Sequence, residues 1–165
     1  MAKINGFEVK GLYFGKGHED ETIVDGNVYL KGKKIGEFRS SRTGGCMDIR
    51  IPNPENYKIL NETCKKYIEN FPEYFDGSGI LWPESPSWFD CEMFILELVT
   101  IKDWEKIFKR EVKKGAVSMV MLFNMEENRT TGRLFVDPVP ADYQPPKNHK
   151  LLRIITNLDQ FNIAF

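Results

Sequence analysis

Apolar and polar positions alternate through the first third of the chain. Phe7-Glu-Val-Lys-Gly-Leu-Tyr13 keeps a period of two, the pattern of a half-buried strand. Gly15 to Glu21 is polar and holds two glycines, so a loop is expected. Thr22 to Leu30 carries Val24, Val28, Tyr29 and Leu30, with Asp25-Gly26 inside it as a tight turn or a bulge. Ile35 to Arg39 is expected to pair back on Val28 to Leu30 across a Lys-Gly turn between Lys31 and Lys34. Met47-Asp-Ile-Arg-Ile51 alternates again, and Pro52 ends it. This half predicts an antiparallel meander of about four strands.

The period then changes. Asn53-Pro-Glu-Asn opens a helix, with Pro54 tolerated in the first turn. Tyr57, Leu60, Cys64, Tyr67 and Ile68 follow at helical spacing, and Pro72 marks the end. Phe75 to Trp88 is rich in Pro, Gly, Ser and Trp and reads as a long loop. A second helix is expected to start near Asp90 and to run to about Lys114, with Gly115 as its cap. Phe94, Leu98, Ile101, Trp104, Phe108 and Val112 form its apolar stripe. Lys102, Lys106, Lys109 and Lys113 line a different face. Ala116 to Phe123 reads as a buried strand and Arg133 to Val136 as its hairpin partner, turning between Asn124 and Thr131. After a Pro-rich excursion over Pro138 to Pro146, Leu151 to Ile155 is expected as a short helix and Phe161 to Phe165 as a terminal strand. The fold class is α+β: an antiparallel N-terminal sheet, two main helices and a C-terminal β-hairpin free to extend that sheet.

A chain of 165 residues fits a single domain. Hydrophobic residues at 41%, and 12 phenylalanines, argue for a packed core over disorder. No segment approaches the ~20 apolar residues of a spanning helix, and no apolar run follows Met1 as a secretion signal would require. Cys46, Cys64 and Cys91 are an odd number with no Cys-x-x-Cys spacing, so reduced thiols in a cytoplasmic protein are expected. The sequons at Asn61 and Asn128 then carry no weight.

The net charge of −1 gives no global pull toward nucleic acid or membrane. Its distribution is uneven. Lys31, Lys33, Lys34, Arg39, Arg42 and Arg50 face only Glu37 and Asp48 between positions 31 and 50. No basic residue stands between Lys66 and Lys102, a stretch with seven carboxylates. The basic cluster runs into Ser40-Ser-Arg-Thr-Gly-Gly45, where Gly44 and Gly45 let backbone amides converge and Arg39 and Arg42 can grip a phosphate or carboxylate with two hydrogen bonds each. The other reading is a wide loop whose glycines serve positive φ. It is not a P-loop, since no Gly-Lys-Ser/Thr follows. Trp82 and Trp88 form a second candidate, either a hot spot for a protein partner or a plug of the core. The lysine stripe is a solvated face or a nucleic-acid track. Asp25 with Glu37-Phe-Arg39 imitates part of a metal-dependent nuclease site, with Arg where such sites use Lys. His18-Glu-Asp-Glu21 is acidic enough for a hard cation, but consecutive loop residues cannot all face one ion. No catalytic residue, metal site or cofactor is assigned.

Tyr29-Leu-Lys-Gly-Lys-Lys-Ile-Gly-Glu-Phe38, then Gly44-Gly-Cys46, a helix ending in Lys113-Lys114 before Val117 to Phe123, then Lys147-Asn-His-Lys-Leu-Leu152 and Asn157-Leu158, resemble in their order a family of small uncharacterised phage and prophage proteins. That pattern has a "DGKK-x-G" hairpin, a Gly-Gly-Cys loop and a basic helix followed by a strand. Here Lys31 stands where it prefers Asp, and the Pro-rich segment 138–146 is unusual. The resemblance implies an intracellular accessory protein and carries over no catalytic residue. The expectation is a non-enzymatic phage or mobile-element protein that binds a host protein in the host cytoplasm, with immunity machinery and a counter-defence role among the candidates. The alternatives are a nucleic-acid or nucleotide-signal binder using the Arg/Gly-Gly loop, and a metal-dependent nuclease.

Overall fold

A computed structural model describes residues 1–18, 20–70, 87–124, 126 and 129–165. Among the described residues nine strands and two α-helices follow in the order β1 (Lys3–Ile4), β2 (Phe7–Lys16), β3 (Thr22–Leu30), β4 (Lys33–Arg39), β5 (Asp48–Arg50), α1 (Pro54–Asn70), α2 (Ser87–Val112), β6 (Ser118–Asn124), β7 (Arg129–Phe135), β8 (His149–Ile155) and β9 (Asn162–Ile163). The fold is α+β. Among the described residues no helix is long and apolar enough to cross a membrane.

The N-terminal sheet has the order β5-β4-β3-β2-β1-β9. Its meander β2 to β5 is antiparallel, as the alternation predicts, while β9 joins β1 in parallel. Two tight turns set its register. Asn5 and Gly6 take φ of 46° and 82°, and Lys31 and Gly32 take 48° and 82°, the paired left-handed conformation of a two-residue hairpin. The two turns lie together, with Lys31 N donating to Gly6 O at 2.9 Å. Asp25-Gly26 is not a turn: both residues pair with β4, and Gly26 lies opposite a bulge of β2, where Lys10 pairs with Asn27 and Tyr13 with Asp25. Gly26 is needed because a Cβ there would lie 2.8 Å from the Phe38 ring. The β2 bulge holds Gly11 at φ of 62°, and a second irregularity falls at Val28/Tyr29.

Asn53 starts α1 by accepting from the amides of Glu55 and Asn56 at 2.9 and 3.3 Å. Leu60, Cys64 and Tyr67 are buried, while Tyr57 stands at the rim. Helix α2 is the centre of the molecule, packed against α1, the N-terminal sheet and the C-terminal sheet. Phe94 meets Phe7 and Tyr67 edge to face, with centroids 5.8 and 5.5 Å apart. Leu98, Ile101 and Phe108 are buried as the stripe predicts. Val112 is exposed, because α2 ends there and Gly115 turns the chain away with φ of 101°. Lys106, Lys109 and Lys113 are exposed, whereas Lys102 is half-buried.

The C-terminal hairpin does not extend the first sheet. It forms a second sheet of order β7-β6-β8. The segment expected as a short helix, Leu151 to Ile155, is strand β8, which satisfies the second side of β6. Strand β6 holds buried residues on both its faces, from Met119 and Met121 in the core cluster to Val120 and Leu122 opposite. Gly132 of β7 lets the Trp104 ring of α2 lie against the sheet, since a Cβ would fall inside the indole.

A candidate binding surface on the N-terminal sheet

Strand register places Arg39 and Arg50 of the basic cluster, together with Lys10, on one face of the N-terminal sheet. Tyr13, Asp25, Arg39 and Asp48 are register partners across β2, β3, β4 and β5. Lys10, Asn27, Glu37 and Arg50 form the next row. Partners in register project from the same side of a sheet, so these eight side chains share a face opposite the buried Val9, Val28 and Phe38. Tyr13 is 61% exposed, and Arg39, Arg50 and Asp48 are exposed.

The charges form a checkerboard. Arg39 pairs with Glu37 at 3.3 Å, Arg50 with Asp48 at 2.7 Å and Arg42 with Asp25 at 2.9 Å. The hydrogen bond from Arg50 to Asp48 and the charge of that carboxylate raise the guanidinium pKa above its ordinary value. Toward the hairpin turns the face closes. Lys10 caps the Tyr29 ring at 4.5 Å and pairs at 3.2 Å with Glu8, which is buried.

The Arg/Gly-Gly loop hangs beside this face. Ser40 fixes its root: the hydroxyl accepts from Val24 N at 2.9 Å and donates to Val24 O at 2.8 Å, and its amide reaches Asp25 Oδ1 at 3.2 Å. Ser41 Oγ then accepts from the amides of Gly45 at 2.8 Å and Thr43 at 3.3 Å. Two of the amides that an anion cradle would aim outward are thus taken by the loop's own hydroxyl. Gly44 has φ of 77°, as expected, but Gly45 has no positive φ and serves as a donor instead.

The remaining sequence candidates fall elsewhere. Trp82 lies outside the described residues. Trp88 falls in the first turn of α2, so the expected loop ends earlier than Trp88. Among the described residues no group of three His, Cys, Asp or Glu side chains stands close enough to hold a metal ion. Asp25 and Glu37, the two carboxylates of the nuclease imitation, each hold an arginine. Comparison with protein-family models, with curated proteins and with solved structures finds no match.

Besides Glu8, two buried carboxylates of α2 were not singled out in the sequence. Burial pushes Glu97 of α2 up to about 7, although the nearby Arg153 charge and a hydrogen bond from Tyr67 pull it back. Glu105 is buried as well, yet its pKa sits below the ordinary value. Burial raises it, but hydrogen bonds from Lys109, the Ala2 backbone and the N-terminal ammonium outweigh that. Lys102 beside it has its pKa lowered by burial, against the attraction of Glu105 and Glu8. The sequence signal for both glutamates was available: Glu105, four residues after Ile101 and three before Phe108, and Glu97, three after Phe94 and four before Ile101, fall on the apolar stripe of α2 itself.

Proposed function

We propose that this chain is a non-enzymatic binding protein of phage or mobile-element origin, and that it occupies a surface of a host protein through the open face of its N-terminal sheet. Components of host immunity are the partner class it would block. The observation that carries this reading is the checkerboard. Each arginine on or beside the face, Arg39, Arg42 and Arg50, already holds a carboxylate of its own. Nucleic-acid surfaces carry a net excess of cations, because affinity comes from displacing counterions along the phosphates. A face balanced by Asp25, Glu37 and Asp48 lacks that excess. It fits a protein surface with its own alternating charges, where complementarity fixes register and Tyr and Arg contribute the contact area. The rigid strands beneath it lower the ordering cost of binding.

The test is capture of partners from a bacterial lysate on immobilised protein, with and without nuclease treatment, alongside thermal melts with a panel of nucleotides. A defined protein retained after nuclease treatment, and melts unmoved by nucleotides, would support the reading. Retention of nucleic acid alone, or a melt raised by a nucleotide, would replace it with the binder of nucleic acid or nucleotide.

A further inference from the structure

The three cysteines are not equivalent. Cys46 is exposed in the loop after Gly45, whereas Cys64 of α1 and Cys91 of α2 are both fully buried. Their sulfurs lie 3.4 Å apart. The thiols form a directed chain: Cys64 Sγ donates to Cys91 Sγ, and Cys91 Sγ donates to Asn61 Oδ1 at 2.9 Å. Positions 64 and 91 are 27 residues apart in sequence and sit on different helices. Two buried thiols in van der Waals contact are compatible with simple packing. What singles this pair out is that the sulfur–sulfur contact continues to a side-chain acceptor, Asn61 Oδ1.

We propose that Cys64 and Cys91 are an oxidative modification site, a dithiol that small hydroperoxides convert to a disulfide stapling α1 to α2. A disulfide needs its sulfurs at about 2.05 Å, so they must approach by only about 1.4 Å, within side-chain torsion and a small helix adjustment. The chemistry balances in two steps. One cysteine, as its thiolate, takes an oxygen from the hydroperoxide, forming a sulfenic acid and releasing hydroxide (alkoxide from an organic hydroperoxide). The second thiol then attacks that sulfur, the S–S bond forms, and water leaves with the thiol proton. The hydroperoxide is the oxidant and the two thiols lose two electrons. Access comes from opening at the start of α2. Cys91 is four residues from Ser87, and helix ends open at far lower cost than helix centres. Hydrogen peroxide, close to water in size, needs little opening. The staple would join α1 to α2 covalently between positions 64 and 91.

The experiment uses the full chain with Cys46→Ser, so that only the pair can react, and treats the folded protein with hydrogen peroxide at neutral pH. The expected product is a monomer lighter by two hydrogens, with no free thiol after denaturation and a disulfide joining the peptides that hold Cys64 and Cys91. Its melting temperature should rise by roughly 5–10 °C, reversed by dithiothreitol. The further variant Cys64→Ser should lose the product and the shift. Two titratable thiols remaining after treatment would overturn the proposal, as would sulfinic acid at either position without a crosslink. Persistence of the mass loss in Cys64→Ser would also overturn it.

Discussion

The two faces of the N-terminal sheet are built from the same four strands and do opposite things. The inner face presents Val9, Val24, Val28 and Phe38 to the core, all nearly or fully buried. The outer face presents Tyr13, Asp25, Arg39, Asp48, Glu37 and Arg50, half-buried to exposed and tied in short ion pairs. Phe38 and Arg39 are adjacent in sequence and sit on either side of this divide. Burial of apolar area supplies stability on one side, at roughly 1.5–3 kcal/mol for a fully buried large side chain. Exposed ion pairs supply about 0–1 kcal/mol on the other. A face that contributes so little to folding yet is fixed so well in geometry is free to be used for recognition.

The divide can be broken hardest from the inside. Phe38→Ala should cost about 3–5 kcal/mol, and Phe108→Ala on α2 a similar amount, read as a drop in thermal or denaturant midpoint. A melt unchanged by either would show that the inner face is not the source of stability.

Next comes a polar group buried away from the sheet. Glu97 titrates near 7 in the fold and near 4.5 when unfolded. Below both values the carboxyl is protonated in both states and costs nothing. Between them the folded chain holds a proton that the unfolded chain releases, so stability falls as pH rises, and the loss is complete above about 7. Glu97→Gln should therefore stabilise the protein at pH 8 by up to about 3 kcal/mol and leave it unchanged near pH 4. Equal melts of the two proteins at pH 8 would contradict the assignment.

A smaller effect is expected at the second sheet. Gly132→Ala puts a methyl group into the Trp104 ring and should cost about 1–3 kcal/mol through overpacking. Tryptophan fluorescence should shift with it. The smallest effect belongs to the outer face. Arg39→Ala with Arg42→Ala should leave the melt within about 1 kcal/mol of the parent.

Periodicity made the meander and both helices legible, because each buries one face and leaves the other wet. It misread β8. Lys150-Leu-Leu-Arg-Ile-Ile155 is too short for its period to decide, and its pairing with β6 is a tertiary fact. Asn5-Gly6 was readable in principle as a hairpin turn, yet its strands are only two residues long on one side. Lys102 and Val112 departed from their stripes because a helix face is buried only where a neighbour covers it. Of the candidate surface, the residues Arg39, Arg42, Gly44 and Gly45 could be named from sequence. The partner of Arg39, Glu37, is two residues away and could be named with it, whereas Asp25 is brought toward Arg42 only by the pairing of β3 with β4.

The double variant Arg39→Ala, Arg42→Ala most directly tests the proposed use of the outer face as the contact surface for a protein partner. Its affinity for the captured host protein should be measured against the parent at low and at high salt, with melts confirming that both are folded. The prediction is a loss of at least about tenfold at low salt that narrows as salt screens the parent's charge contacts. A folded double variant that keeps the parent's affinity at both salt concentrations would contradict it.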